Sequence, residues 1–214
     1  MTRKLLMAAG ALLCVIGGVW AQDLKSIPLP PPITEGGKPL MQALKERRTT
    51  REFSPEKISP QTLSNLLWAA NGINRDDGHR TAPSAMNNQE TDIYVVRDDG
   101  IFLYDAKSNT LEPVVAGDHR AAAGKQDFVA TTPLNLIYVA DFARMGKMSD
   151  EDKRFYSAAD VGFIAENVYL FCASDGLDCV VRGYVDREEI AKLLKLRPDQ
   201  HVILAQTVGY PWKH

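Results

Sequence analysis

A chain of 214 residues, 45% hydrophobic and 24% charged, is long enough to bury one substantial core and has the composition of an ordinary globular domain. Its formal net charge of -2 excludes a general electrostatic attraction to nucleic acid or to an anionic membrane surface. Any anion that this protein binds must therefore be held by local geometry.

The first 21 residues are predicted to be a secretory signal peptide. Arg3 and Lys4 precede an apolar run over 5–19, and Ala21 is the small residue after which we expect cleavage. A membrane-spanning helix is the alternative, but the run has about 15 residues where about 20 are needed. The sequence therefore predicts an exported protein, periplasmic or secreted, with no stable membrane span after cleavage.

A proline-rich arm over 22–38 separates this signal from a single domain over 39–214. Four prolines in five positions, Pro28 and Pro30 to Pro32, favour a stiff polyproline II conformation and remove backbone donors. We expect the arm to lie along the body of the protein or along a partner subunit.

Two helices are predicted in the first half of the domain. The first spans about 39–46, with Leu40 and Leu44 one turn apart on its inner face. The second begins after Ser59, whose hydroxyl can cap the helix, and ends at Gly72.

A β-hairpin is predicted next. Apolar and β-branched residues over 91–96 and 101–104 indicate two strands that pair with each other. The intervening Asp99 and Gly100 are expected to supply the positive φ angle of the hairpin turn.

The second half of the chain alternates strands and helices without a regular βαβ pattern. Buried strands are predicted over 134–140 and 202–208, and between them a long helix over about 155–173 that is apolar around most of its circumference. Gly176 is expected to cap that helix, and Asp186 to begin a final short helix. This mixture predicts an α+β fold with a mostly antiparallel sheet.

The cysteines outside the signal, Cys172 and Cys179, are expected to be buried small hydrophobic residues; a disulfide between them is the alternative in an oxidising compartment. No spacing of Cys and His residues resembles a metal site, and no metal is predicted.

A basic cluster follows the first predicted helix. Arg47, Arg48 and Arg51 are interleaved with Thr49 and Thr50. Guanidinium groups bind phosphate oxygens bidentately and threonine hydroxyls add further donors, so the cluster is suited to a phosphomonoester. A solvated charged surface is the alternative.

A loop of small and amide residues, Pro83-Ser84-Ala85-Met86-Asn87-Asn88-Gln89, precedes the first predicted strand of the hairpin. This composition is typical of loops whose backbone and amides approach a polar, planar ligand. An ordinary turn is the alternative.

These two motifs, together with Val181-Arg182-Gly183-Tyr184, occur in the order and spacing of the FMN-dependent nitroreductase family, and the chain resembles its SagB/thiazole-oxidase-like dehydrogenase branch. The resemblance extends from about Met41 to Pro211. It implies a homodimer of α+β subunits with the long helix buried at the interface and one FMN in each of two clefts built from both chains.

The resemblance also assigns residues to the cofactor. Arg47, Arg48 and Thr49 match the positions at the flavin phosphate and ribityl end, and Arg51 matches the basic residue near ring N1 and O2. Three further groups follow: the loop that reaches the flavin, usually from the partner (Pro83, Ser84, Ala85, Asn87, Gln89), the segment whose backbone N–H groups face ring N5 (Val181, Arg182, Gly183), and a C-terminal basic residue (Lys213).

The family pattern implies two-step hydride transfer through ring N5, to or from a small organic substrate such as a nitroaromatic or quinone. Arg51 would act electrostatically, stabilising negative charge over N1 and O2. The electron donor stays open between NAD(P)H and another reductant, and a non-enzymatic exported flavin carrier is the alternative function. Arg182 departs from the family pattern; its side chain is expected to attract an anionic substrate or to pair with Asp178 or Asp186.

Overall fold

The computed structural model describes residues 24–212, which fold as a seven-stranded sheet with helices on both faces. The strands and α-helices in chain order are β1 (Ile27–Pro28), α1 (Leu40–Glu46), α2 (Pro60–Asn71), β2 (Thr91–Val96), β3 (Gly100–Asp105), β4 (Thr110–Ala116), β5 (Leu134–Asp141), α3 (Asp150–Asp175), β6 (Asp178–Arg182), α4 (Arg187–Leu194) and β7 (Gln200–Gly209). Four short 3-10 helices lie at Ala85–Asn87, Arg120–Ala123, Asp127–Ala130 and Phe142–Met145.

The sheet has the strand order β1-β4-β3-β2-β5-β7-β6, and every neighbouring pair is antiparallel. The α+β prediction with an antiparallel sheet is therefore confirmed. Strand β5 lies inside the sheet and is buried along its whole length, in agreement with its largely apolar sequence.

Side-chain alternation along the strands builds a core on each face of the sheet. Leu134 and Leu136 point to the face covered by α2 and α3, where the larger core lies. Ile137 and Val139 point to the other face, which is covered by α4 and by the segment of two 3-10 helices over 120–130. The edge strand β6 contributes Cys179 to the larger core and carries the site described below.

The residues that cap the helices agree with the predictions. Ser59 accepts a hydrogen bond from the Thr62 N–H and caps α2. Gly176 adopts a left-handed conformation with φ of 76° at the end of α3. Asp186 caps α4 by accepting from the Glu189 N–H at 3.1 Å. The long helix α3 starts five residues earlier than predicted, at Asp150, because Ser149 caps it.

The predicted inner face of α1 is wrong. Leu40 and Leu44 are 63% and 46% exposed, whereas Ala43 is buried. The small Ala43 side chain allows this two-turn helix to pack closely, so the larger leucines are left on the outer surface of the chain.

The predicted positive φ in the β2–β3 turn is also wrong, since neither Asp99 nor Gly100 has one. Instead, the Arg97 N–H donates to the Gly100 carbonyl at 2.9 Å and closes the turn. Gly100 is required for space, because a Cβ there would lie 2.8 Å from the Val115 carbonyl oxygen.

Strand β4 was not expected from the sequence because Pro113 interrupts its pattern. The register of β3 with β4 shifts at this point, so that Ile101 pairs with Val115 while Phe102 pairs with Pro113. Proline is tolerated where a bulge removes the need for its missing donor.

The proline-rich arm lies along the body of its own chain. Ile27 and Pro28 pair with β4, and the Leu29 N–H donates to the Asn109 carbonyl at 3.0 Å. The predicted signal peptide and Lys213 fall outside the described residues. Within residues 24–212, no helix combines the length and apolarity needed to cross a membrane.

Candidate functional site

The basic segment runs along the outer edge of β6. The Thr50 N–H donates to the Cys179 carbonyl at 3.2 Å, and the Ser54 N–H donates to the Tyr210 carbonyl at 2.8 Å. These bonds tie the segment to the edge strand and to the end of β7. As a result, the predicted basic residues of 47–51 lie beside β6, the strand that also carries Val181 and Arg182.

Tyr169 of α3 joins the two segments and was missed by the sequence analysis. Its hydroxyl accepts from the Val181 N–H at 2.9 Å and lies 3.0 Å from Thr49 Oγ1. The Arg47 guanidinium stacks over its ring, 5.3 Å from the centroid. Only a tyrosine supplies both the aromatic face and the hydroxyl, but nothing in the local sequence around position 169 distinguishes it from an ordinary core residue.

Two adjoining clefts open beside this junction, with volumes of about 580 and 410 Å³. Arg48, Asp178 and Pro211 line both clefts. The larger cleft also contains Lys38, Lys45 and Arg47, and the smaller contains Arg51 and Trp212.

Across the two clefts, five basic side chains outnumber three acidic ones, Glu46, Glu52 and Asp178. Glu46 is bound by Lys38 at 2.7 Å, and Asp178 lies 3.8 Å from Arg48. Arg47 and Arg51 form no ion pair with any described residue. The hydroxyl Oγ1 of Thr50 is buried and has no hydrogen-bond partner among them either. The chemistry of these donors fits a phosphate or another compact anion.

The 181–183 segment directs alternate N–H groups outward from the sheet edge. The Val181 N–H is already bonded to Tyr169. Two residues further on, the Gly183 N–H has no acceptor within residues 24–212, so it is the amide of this segment that is available to a ligand.

The expected pairing of the Arg182 side chain with Asp178 or Asp186 is wrong. It is only 4% exposed and points into the core on the α4 side of the sheet. Asp178 and Asp186, the expected partners, lie instead beside Arg48 and Lys125. The alternation of β6 explains this, because residues 180 and 182 face inward on that side.

The loop over 83–89 is held in a strained conformation. Met86, Asn87 and Gln89 have positive φ angles of 52°, 54° and 48°, a region that few non-glycine residues occupy. The Ala85 N–H donates to Asp160 at 2.9 Å, and the Arg80 guanidinium donates to the Gln89 side chain at 2.8 Å. Strain that the surroundings maintain in this way is typical of functional loops.

This loop does not line either cleft of its own chain. It is anchored to α3 at Asp160, whereas the basic segment contacts α3 at Tyr169. The two anchors are nine positions apart on the helix, which corresponds to about 13.5 Å along its axis. The single chain therefore brings together 47–51 and 181–183 but not the 83–89 loop.

A buried pair of acidic residues, also missed from the sequence, lies behind the loop. Glu90 is completely buried, and neither of its carboxylate oxygens meets a hydrogen-bond donor of residues 24–212. The pKa of Glu90 is raised to about 7, mainly by burial and to a smaller extent by the nearby Asp160, against the opposing effects of a backbone hydrogen bond and Arg144. An acidic residue inside an otherwise apolar stretch of a predicted helix was the available signal for Asp160.

Cys172 and Cys179 are both buried and form no disulfide. Burial raises the pKa of the Cys172 thiol well above its usual range. The expectation that they behave as small hydrophobic residues is confirmed.

Replacing Tyr169 by Phe should lower the free energy of unfolding by about 1–3 kcal/mol, because the Val181 N–H would lose its acceptor. Urea denaturation measures the loss. Tyr156 is the matched control, since it lies on the same helix, is exposed and makes no side-chain hydrogen bond with the rest of the described chain. Tyr156→Phe should change stability by less than about 0.5 kcal/mol. Equal losses in the two variants would contradict the role of Tyr169 as a junction.

Comparison with known proteins gives a consistent family assignment. The model of the nitroreductase family matches residues 44–210. A protein of Methanocaldococcus jannaschii named as a nitroreductase is 32% identical over 180 residues, covering 79% of this chain and 90% of its own.

Solved structures agree with that assignment. The crystal structure of a protein of Ralstonia eutropha JMP134 named as a nitroreductase has a TM-score of 0.84 and 43% identity, covering 89% of this chain and 91% of its own. One from Desulfovibrio desulfuricans, named as a nitroreductase in complex with FMN, has a TM-score of 0.59 and 22% identity over 83% and 89% of the two chains. That second likeness concerns the fold alone. The family match and the sequence identities establish that this chain belongs to the nitroreductase family.

Proposed function

We propose that this protein is an exported FMN-dependent oxidoreductase of the SagB/thiazole-oxidase-like branch, working by two-step hydride transfer to or from a small organic substrate such as a nitroaromatic or quinone. The observation that carries the proposal is the pair of adjoining clefts along β6, in which Arg47 and Arg51 form no ion pair with any described residue. FMN, when bound, supplies hydride chemistry at its ring N5.

The phosphate end of the cofactor is assigned to the larger cleft. Arg47 and Arg48 present guanidinium groups to it, and the Tyr169 ring holds the Arg47 side chain by stacking. Thr49 reaches the same junction through its contact with Tyr169. This preorganisation lowers the entropy lost when the arginines order around an anion. Lys213 follows Trp212 closely in sequence and is proposed as a further phosphate ligand.

The ring end is assigned to Arg51 of the smaller cleft and to the free amide of Gly183, which directly follows the last residue of β6. Arg51 lies there as an exposed, unpaired cation, which suits a role in stabilising negative charge near ring N1 and O2. The Gly183 N–H would donate toward ring N5. No side-chain nucleophile or general acid is needed in this arrangement, because positioning and electrostatics are what the protein contributes.

A second subunit completes the proposed site. Nitroreductases are generally homodimeric, and the helical face of this chain exposes large apolar side chains of α1 and α3 that a partner would bury. They include Met41 at 76% exposure and Phe155 at 69%. The partner's copy of the 83–89 loop would then supply Ser84, Asn87 and Gln89 to the flavin.

Export is proposed from the sequence, with residues 1–21 as a cleaved signal, 22–38 as the arm and 39–214 as the domain. The destination would be the periplasm or the exterior of the cell. Because nicotinamide donors are cytosolic, a quinol or protein reductant, or operation as a dehydrogenase, would fit that location. NAD(P)H is the alternative electron donor, and its ability to reduce the bound flavin should be compared with that of a quinol or a protein reductant.

A visible absorption spectrum of the purified protein, followed by anaerobic reduction, tests the proposal. We expect a bound flavin that bleaches with a reductant and recovers when a quinone or nitroaromatic is added. Bleaching without recovery by any acceptor would favour the alternative, a flavin carrier. A protein that neither retains FMN nor is thermally stabilised by it would contradict both functions.

A further inference from the structure

Arg182 is a buried guanidinium bound only by neutral acceptors. Its Nε donates to Thr207 Oγ1 at 3.0 Å, Nη1 donates to the Ala123 carbonyl at 2.9 Å, and Nη2 donates to Asn135 Oδ1 at 3.0 Å. Gly124 makes room for it, because a Cβ there would overlap Nη1. The residue is therefore fully accommodated, but its charge is not neutralised.

No carboxylate of the described chain contacts Arg182. Asp178 and Asp186, its nearest acidic neighbours in sequence, lie beside Arg48 and Lys125. Burial lowers the pKa of Arg182 to about 10, which still leaves the side chain charged at neutral pH. A neutral side chain could hold the 120–130 segment equally well by hydrogen bonds. Because an unneutralised charge in the core lowers stability, the charge of Arg182 calls for a separate explanation.

The buried charge of Arg182 lies next in sequence to the amide that we assign to the flavin ring. Arg182 directly precedes Gly183, the amide assigned to the flavin ring, and its guanidinium lies in the protein interior rather than in solvent. Charges in such surroundings act over longer distances and are screened less by salt than exposed charges.

Building on the proposed function, we propose that Arg182 is a buried source of positive potential that favours the reduced, negatively charged state of flavin bound beside Gly183. It acts at a distance and does not touch the cofactor. By linkage, it makes the protein bind reduced FMN more tightly relative to oxidised FMN. A unit charge about 10 Å away at an effective dielectric constant of about 20 changes that ratio roughly tenfold, or about 30 mV for a two-electron couple.

Asn135 offers a matched pair of variants. Its Oδ1 accepts from Arg182, while its Nδ2 donates to the Val129 carbonyl at 3.1 Å. Asn135→Asp and Asn135→Ala both lose the bond to Val129, but only the aspartate places a neutralising charge against the guanidinium. Asn135→Ala also removes the oxygen that accepts from Arg182 Nη2 and Thr207 Oγ1, whereas the wild type keeps that oxygen without a charge. The added charge is therefore reported by a potential in Asn135→Asp that lies below those of both the wild type and Asn135→Ala.

The experiment measures the midpoint potential of bound FMN and its dissociation constants in both redox states. We expect Arg182→Met to lower the preference for reduced FMN about tenfold relative to the wild type, and Asn135→Asp to lower it about tenfold relative to both the wild type and Asn135→Ala. The change in potential caused by these variants should persist at about 1 M salt. The change caused by Arg51→Ala should become smaller at that salt concentration, because Arg51 is exposed. If Arg182→Met fails to fold, the comparison of the two Asn135 variants still tests the proposal.

Equal potentials in Asn135→Asp and Asn135→Ala, with FMN bound in both, would overturn the role of Arg182 while leaving the flavin function intact. A wild-type protein that binds no FMN would overturn the proposed function and this role together.

Discussion

Replacing Arg47 and Arg48 together by Ala should weaken FMN binding by at least about 100-fold. Hydrogen bonds to charged groups contribute about 1.5–3 kcal/mol each, and every 1.4 kcal/mol is a factor of ten in affinity. Both side chains line the larger cleft, and Arg47 is already positioned over Tyr169. Fluorescence titration of the apoprotein with FMN measures the loss.

The control is a double variant that also removes two positive charges, but at positions outside the two clefts. Lys107 lies in the β3–β4 turn and Lys192 on α4, and both are exposed and absent from the clefts. The Lys107→Ala, Lys192→Ala double variant should retain the wild-type affinity within about twofold. If the two double variants lose affinity to the same extent, net charge rather than this cleft attracts the cofactor.

Replacing Glu90 by Gln should stabilise the protein by about 3 kcal/mol above pH 8 but have little such effect below pH 5. The folded pKa of Glu90 is raised from 4.5 to about 7, mainly by burial and then by Asp160. A group with a raised folded pKa contributes stability that is complete below its unfolded pKa and is lost as pH rises through its folded pKa. The rise in the pKa of Glu90 corresponds to about 3 kcal/mol of folding stability that is lost at high pH.

Urea denaturation of both proteins between pH 4.5 and 9 measures this difference. The wild-type protein should lose stability relative to Glu90→Gln across the window from about pH 4.5 to 7, since glutamine keeps the shape of the neutral acid and does not titrate. Glu166→Gln, at an exposed position of α3, should show no such divergence. Parallel stability curves for wild type and Glu90→Gln would show that Glu90 is not a titrating buried acid.

Elements with strong local signals were predictable from the sequence. The Ser59 and Asp186 caps and the left-handed Gly176 depend on contacts within one or two turns, and the structure reproduces them. The orientation of α1 and the existence of β4 were not predictable, because they depend on packing against distant elements. Ala43 indicates the buried face of α1 only when the position of α3 is known. Pro113 fits a strand only when its pairing with β3 is known.

The same distinction applies to the site. Contiguous motifs indicated the segments over 47–51 and 181–183, and the structure places them together. Tyr169 and the Glu90–Asp160 pair could not be assigned, since their partners lie 12 to 120 residues away. The burial of Arg182 follows from strand alternation, but its neutral partners come from three separate elements.

A crystal structure of the protein with FMN tests the central claim most directly. We predict a dimer in which the phosphate is bound by Arg47 or Arg48 of one subunit, while the 83–89 loop of the other approaches the ring. A phosphate bound elsewhere, or a monomer with these guanidinium groups turned to solvent and no flavin beside Gly183, would contradict it.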